Sequence, residues 1–584
     1  MLILATFSAF LALLPGASAL WPIPNDITTG TSPLRLARDF SINLNGVRHA
    51  PKDLVDAVSR TQHFLREDKL QLLVPDRGAS LKSSISNSPF LKSLTVTLNS
   101  RTAKTRSIAE EAIADIGTRQ EGYTLTVPAD GSEAVLTANS TLGLFRGLTT
   151  FSQLWYELDG HVYTVQAPVS IRDAPQYYRM LTSLSFPIAD IKRTLDAMSW
   201  VKLDTNSWQV NTLHWHIVDA QSFPLVVPGF EELSRKGAYN PASIYTPNDV
   251  KDIVNYAAQR GIDILVEVDT PGHTSIIHHA HPEHIACFEA SPWTRYAYGK
   301  CILLCGLRLA SPATVNFTSS LLTSVARLFP SKFFSTGGDE INQPCYEDDA
   351  ATQKELDPDY LGLVEKQGKT LEQALDTFTQ VTHRALHDMG KTTVVWQGMS
   401  HTYSYDRVEN SSSAVEMVLD HKVTLSNDTV AMVWISSQHA KAVAQRGHRL
   451  IHAASDYFYL DCGGGGWIGN NPNGNSWCDP FKTWQKAYSF NPRANLTEEE
   501  AKLVLGGQQL LWAEQSGPSN LDPIVWPRAA ASAEVFWSGH GRDGRTALPR
   551  LHDLAYRFVQ RGVRAIPLQP QWCALRPGAC DIDA

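Results

Sequence analysis

The sequence is poor in the features that would tie it to a membrane or to nucleic acid. Past its first residues no apolar run is long enough to cross a bilayer, and the end, Cys580-Asp581-Ile582-Asp583-Ala584, carries no apolar tail for a lipid anchor. Basic runs are missing as well. The 51 Lys and Arg stand against 59 Asp and Glu, and a net charge of −8 argues against a nucleic-acid partner. Only eight cysteines occur in 584 residues, none in the paired CxxC spacing of a structural zinc. Internal repeats and low-complexity tracts are absent. What remains, 43% hydrophobic and 19% charged residues, is the balance of a globular chain long enough for more than one domain.

The first residues read as a secretory signal. Leu2 to Leu14 is almost wholly apolar, Pro15-Gly16 breaks the run, and Ala17-Ser18-Ala19 is a small-x-small cleavage site, although no Lys or Arg precedes it. A secreted, soluble, extracellular or wall-associated protein is expected from residue 20 onward. Asn139, Asn316, Asn410, Asn427 and Asn495 each open an Asn-x-Ser/Thr acceptor, as expected of surface loops carrying glycans. An oxidising compartment favours disulfides. Cys573 with Cys580 would close a small C-terminal loop, and Cys462 with Cys478 would close the Gly-rich loop between them. Cys287 and Cys345 are left as a longer-range pair, with Cys301 and Cys305 unplaced.

From Leu20 to about Pro168 the chain carries short alternating runs, Leu94 to Leu98 and Tyr123 to Val127, and a helical pattern from Ala138 to Trp155. This is a small α/β domain. Val169 to Pro175 reads as a junction, and from Pro175 to Ala584 apolar strands alternate with helical stretches. The strand candidates are Thr212–Asp219, Ile262–Asp269, Lys332–Glu340, Thr392–Gln397, Val430–Ile435, His448–Ala454 and Leu503–Glu514. A helix follows the first of them, capped by Thr246 with Pro247 in its first turn. Such alternation implies an α/β fold, a (β/α)8 TIM barrel with a C-terminal extension.

In Phe333-Phe334-Ser335-Thr336-Gly337-Gly338-Asp339-Glu340 an apolar strand ends in two glycines and two acids. Adjacent carboxylates repel, so one of them is expected to keep its proton near neutral pH. A protonated acid beside an ionised one is the minimum equipment for cleaving a glycosidic bond. The competing reading, a solvated turn, is weakened by the other strand ends: Asp219, Asp269 with His273, Trp396, Trp434, Tyr459 with Asp461, and Trp512 with Glu514. His214-x-His216 also suits a metal-dependent hydrolase, but that chemistry needs further histidines at later strand ends, where Trp396 and Trp434 stand. No metal or cofactor is therefore expected. His278, His279, His281 and His284 read as a solvated helix face.

The segments His214-Trp215-His216-Ile217-Val218-Asp219, Asp269-Thr270-Pro271-Gly272-His273, Gly337-Gly338-Asp339-Glu340, Val395-Trp396-Gln397, Tyr459-Leu460-Asp461 and Trp512-Ala513-Glu514 together resemble family 20 glycoside hydrolases, the β-N-acetylhexosaminidases. Leu20-Trp21-Pro22-Ile23-Pro24 is similar to the start of fungal secreted members. The resemblance implies exo-acting removal of terminal β-linked N-acetylhexosamine by a retaining, substrate-assisted route, in which the sugar's own acetamido oxygen attacks the anomeric carbon. It implies Glu340 as proton donor, Asp339 as the group that orients the acetamido N–H, and Asp219 with His273 as support for the acid. Trp396, Trp434 and Trp512 would wall the sugar, Tyr459 would donate to the acetamido oxygen, and Asp461 and Glu514 would hold hydroxyls. It also implies an amino-sugar oligosaccharide as partner and allows a homodimer.

The resemblance breaks at the expected first barrel strand. In place of Arg-Gly-x-x-x-Asp-x-x-Arg the chain reads Tyr178-Arg179-Met180-Leu181-Thr182-Ser183-Leu184-Ser185, and neither Arg179 nor Arg193 replaces the second arginine, which grips two sugar hydroxyls. Asp204 to Val210, Tyr298 to Gly306, Asp357 to Gln367 and Gly398 to Val415 look inserted, the kind of mark left by misplaced splice boundaries. Ser335 stands where many members carry His. The alternative implied by the missing strand motif is a catalytically impaired, sugar-binding homologue.

Overall fold

The computed structural model describes residues 20–70, 80–99, 105–115, 118–183, 185–202, 211–291, 306–357, 368–398, 423–467 and 472–582. Six strands form the first sheet: β1 (Asp26–Gly46), β2 (Phe90–Leu98), β3 (Tyr123–Val127), β4 (Ala134–Ala138), β5 (Tyr156–Leu158) and β6 (His161–Asp173), ordered β1-β2-β4-β3-β6-β5 with β1 also paired to β6. Along β3 the buried Tyr123, Leu125 and Val127 alternate with exposed threonines, as a strand with one covered face requires. Val169 to Asp173, expected as a junction, is instead the end of β6, laddered to β1 and β3.

Helix Thr141–Gln153 is buried on every face, because the sheet covers one side and the barrel the other. Its Arg146 is wholly enclosed. That charge is tolerated because Glu121 lies 3.0 Å away and the carbonyls of Arg260 and Gly261 accept at 3.3 and 3.2 Å.

The barrel closes through β7 (Tyr178–Ser183), β8 (Asn211–Val218), β9 (Asp263–Val268), β10 (Phe333–Gly337), β11 (Thr392–Trp396), β12 (Val430–Val433), β13 (Arg449–His452) and β14 (Val504–Leu510), all parallel. The strand missing from the sequence reading is β7. It pairs with β14 from Gly506↔Tyr178 to Leu510↔Thr182 and with β8 from Arg179↔Asn211 to Ser183↔Trp215. The arginine motif is lost, but the strand is kept by its two ladders. Strands β9, β10, β12 and β14 are buried at every position, as expected where helices cover the outside and side chains fill the inside. Helix Pro247–Ala258 opens with the expected Thr246 cap, closed into a capping box by Asp249.

The two domains exchange tryptophans. Trp21 joins the barrel core and donates its indole N–H to the Ala530 carbonyl at 2.8 Å, while Trp537 joins the core of the small domain and donates to Asp173 at 3.0 Å. Beside it, Lys202 is neutralised by Asp173 at 3.1 Å. The Leu20 carbonyl accepts from Arg550 at 2.9 Å.

Disulfides join Cys287–Cys345, Cys462–Cys478 and Cys573–Cys580, the three expected pairs; Cys301 and Cys305 lie outside the described residues. The histidine cluster is not a solvated helix face. It sits on two 3-10 turns, where His278 stacks on Phe288 at 3.9 Å, His281 meets Glu232 at 2.8 Å, and the buried His284 meets Thr314 at 3.0 Å. Asn139, Asn316, Asn427 and Asn495 are exposed, and Asn410 lies outside the described residues. No described helix is long and apolar enough to cross a membrane.

Candidate active site

A cavity of about 150 Å³, open to solvent, lies at the C-terminal ends of the barrel strands. Asp219, His273, Asp339, Glu340, Trp396, Trp434, Tyr459, Trp512 and Glu514 all line it. Asp461 is the one site residue read from sequence that is not at its surface. It sits one layer back, accepting from the Trp512 backbone N–H at 3.4 Å.

The turn after β10 is built for close approach. Gly337 has φ +67°, and a Cβ there would stand 1.7 Å from the Asp269 carboxylate, which itself accepts from the Gly338 N–H at 3.0 Å. Glu340 and His273 both have φ 54°. Left-handed backbone at two non-glycine residues costs on the order of 1–3 kcal/mol each and persists only where surrounding structure enforces it. The strain brings their side chains together, with His273 Nε2 3.1 Å from Glu340 Oε2.

From Glu340 a line of contacts runs into the barrel. His273 Nδ1 meets Asp219 at 3.0 Å, Asp219 lies 3.3 Å from His216, and His216 bonds Glu267. Glu267 also takes His214 Nε2 at 3.0 Å and the Ser335 hydroxyl, and Gln508 fixes the far nitrogen of His214 at 3.1 Å. Both histidines of His214-x-His216 are thus turned to one carboxylate.

The charges follow from this packing. Burial opposes a charge on His273, but Asp219 and Asp269 outweigh it and hold the imidazolium well above its usual range. Burial likewise opposes charge on His216, and Asp219 with Glu267 raises it to about 10. Glu267 is buried too, yet His214 and His216 hold it well below the carboxylate range. Asp339 moves the opposite way: burial first, then the charges of Asp269 and Glu340, push it well above, despite His273. Its Oδ1 is buried and finds no hydrogen-bond partner among the described residues.

Aromatic rings form the remaining wall. Trp396 lies 6.0 Å from Trp512, Tyr459 5.4 Å from Trp477, and Trp434 5.6 Å from Trp477, centroid to centroid. The Trp434 indole is pinned to the Gln397 carbonyl at 2.8 Å. The sequence reading missed Glu267, Trp477, Trp467 and Tyr239. Glu267 had a signal, a lone acid in the apolar run Ile264-Leu265-Val266-Glu267-Val268, since a buried carboxylate needs partners. Arg193 is spent elsewhere, on Asp522 at 2.9 Å and Asp190 at 2.6 Å. The side chain of Arg179 and nearly all of the segments read as insertions lie outside what is described.

This electrostatic layout sets a pH dependence of stability. Burial, with Glu267 nearby, raises Asp269 to about 6 against the pull of His273. From about pH 4 to 6 the unfolded chain has lost a proton that the folded one keeps, so stability falls as pH rises, by about 3 kcal/mol for this group. The stabilisation from protonated His216 is complete below about pH 6.5 and lost toward the alkaline side. Asp219 and Glu267, both depressed, contribute above about pH 4 and lose that contribution in stronger acid. His383 and His452, pressed by burial to about 4, work the other way and cost stability as pH falls below about 6.5. The Asp269 contribution is therefore read by difference: the calorimetric Tm of the wild type relative to Asp269→Asn is expected to fall from about pH 4 to 6, and a difference that rises over that range would contradict this account.

An eight-stranded parallel barrel that gathers carboxylates and indoles in one cup at its strand ends is the layout of a carbohydrate-cleaving hydrolase. The chain belongs to glycosyl hydrolase family 20: the model of that family's catalytic domain matches residues 185–540, and one described as beta-acetyl hexosaminidase like matches residues 20–154. The chain is 32% identical over 540 residues to a chitooligosaccharidolytic beta-N-acetylglucosaminidase of Bombyx mori, covering 88% of this chain and 83% of that one. It is 31% identical over 574 residues to the beta-hexosaminidase subunit beta of Felis catus, covering 95% and 94%. Among solved structures, the Flavobacterium johnsoniae chitobiase shares the fold, with a TM-score of 0.68 at 23% identity over 93% of this chain and 73% of that one. The catalytic-domain match begins just after β7, the strand whose motif is lost.

Proposed function

We propose that the cup hydrolyses terminal, non-reducing β-linked N-acetylhexosamine from chitooligosaccharides or glycoconjugates, with Glu340 as the proton donor. The acetamido oxygen of the bound sugar attacks C1 as the bond from C1 to the leaving oxygen breaks, and Glu340 gives that oxygen its proton. The product is an oxazolinium. Water then adds to C1, Glu340 takes back a proton, and the ring reopens with the anomeric configuration retained. Asp339 accepts the acetamido N–H and balances the positive charge that grows on it. Tyr459 donates to the acetamido oxygen, Glu514 takes a sugar hydroxyl at the rim, and Trp396, Trp434 and Trp512 enclose the methyl group and sugar face. Asp461 acts through the Trp512 backbone. His273 and Asp219 hold the acid in place.

The observation that carries this reading is the meeting of an unpartnered Asp339 oxygen, the Glu340–His273–Asp219 line and the tryptophan wall in one cavity. Adjacent carboxylates are workable here because the protein supplies no nucleophile. The sugar-binding alternative has no comparable support, since a lectin needs no acid held under strain beside an imidazolium. A β-N-acetylglucosaminide should be cleaved at least about 10³-fold faster than the β-glucoside lacking the acetamido group, with turnover unaffected by a chelator. Equal rates on the two, or loss of turnover with chelator, would refute the mechanism. Secretion, glycans on the exposed acceptors and a homodimer belong to the same reading. Secretion and glycans rest on the apolar start, the exposed acceptor asparagines and the three disulfides, and the homodimer on the family resemblance alone.

A further inference from the structure

A second cavity, of about 270 Å³, opens where the small domain meets the barrel. Helix Lys52–Glu67 contributes Arg60 and Phe64, and the barrel side contributes Trp200, Arg260 and Arg561. Two of the three guanidiniums are neutralised: Arg561 lies on Asp68 at 3.1 Å, and Arg260 on Asp196. Arg60 is not. Its Nη2 is buried and finds no hydrogen-bond partner among the described residues. Burial and the like charge of Arg260 press its proton affinity down, against weaker help from Asp196 and Asp56. A guanidinium does not shed its proton in a protein, and Asp196, which lines the same cavity, is already bonded to Tyr256 and Arg260, so Arg60 keeps a charge that an acceptor from outside can meet. The cavity has room for several waters' worth of ligand, and a fork of N–H donors matches the oxygens of a phosphate group. Phe64 and Trp200, edge to face at 5.9 Å, carry Arg561 over their rings and close the apolar side.

We propose that this junction cavity binds an oxyanion of the phosphate class, free or as a sugar monoester, with Arg60 as its principal donor, and that the ion ties the small domain to the barrel. Its occupant bridges elements that the catalytic cup does not touch.

Calorimetric titration of the whole protein with inorganic phosphate at constant ionic strength tests it. One saturable site per chain is expected, with Arg60→Gln weakening binding at least tenfold and Arg60→Lys weakening it less. Saturating phosphate should raise the wild-type Tm by about 2 °C or more and leave Arg60→Gln unmoved. Hydrolysis by Arg60→Gln within twofold of wild type shows the variant folded. Glucose 6-phosphate in a parallel titration separates the sources: equal affinity identifies the free ion, and tighter binding the monoester. No saturable binding of either compound, or equal binding by wild type and Arg60→Gln, overturns the proposal.

Discussion

Glu340→Gln is expected to lower kcat on chitobiose by about 10³- to 10⁴-fold, with KM nearly unchanged. The amide keeps the size of the carboxyl and its reach to His273, so the cup should persist while the transferable proton is gone. A thousandfold loss is about 4 kcal/mol of transition-state stabilisation, a reasonable share for one general acid. The loss should shrink on an aryl N-acetylglucosaminide, because a phenolate departs without needing a proton. That contrast is the diagnostic part of the measurement. Equal losses on both substrates would mean that Glu340 acts in some way other than protonating the leaving oxygen, and an unchanged rate on chitobiose would remove it from the mechanism.

Asp339→Asn should depress the chemical step by about 10²- to 10³-fold, the range seen when one preorganised electrostatic group is removed. Its effect on stability should have the opposite sign. Asp339 is buried, crowded by Asp269 and Glu340, and has an oxygen without a partner. An ionised group there is costly until substrate supplies the N–H and the developing positive charge, so an amide relieves the empty protein. Tm is expected to stay level or rise while turnover collapses. A parallel fall in both would reduce Asp339 to a structural residue.

Much of this site could be read from the residues alone because each strand end pairs an apolar run with an abrupt polar or aromatic residue. That pattern marks Asp219, Asp339-Glu340 and Trp396 without coordinates. Two of the disulfides were legible from loop closure, and Cys287–Cys345 as the longer-range pair left over. Strand β7 was not, because Met180-Leu181 gives no alternation and its expected arginine motif is gone; only the ladders from β8 and β14 define it. Asp461 was drawn from the family resemblance and not from any period in Tyr459-Leu460-Asp461. In the structure it follows the short helix Ser455–Phe458, and its carboxylate turns to the backbone of Trp512. Trp477 had no signal at all. It sits in the Gly-rich segment between Cys462 and Cys478, where no period relates sequence to direction, and it reaches the cup through packing on Trp434 and Tyr459.

The exchange of tryptophans between the domains bears on how the molecule is made. Trp21 leaves the ribosome early, yet the carbonyl that receives its indole belongs to Ala530, 509 residues later. At ordinary elongation rates that is a wait of about 25–100 s, during which the small domain also lacks Trp537. Early intermediates therefore expose an unfilled apolar seam, and ribosome-bound chains shorter than about 530 residues should lean on chaperones. Damage to the last helices would then surface first as aggregation of the nascent chain, before any loss of the catalytic cup itself.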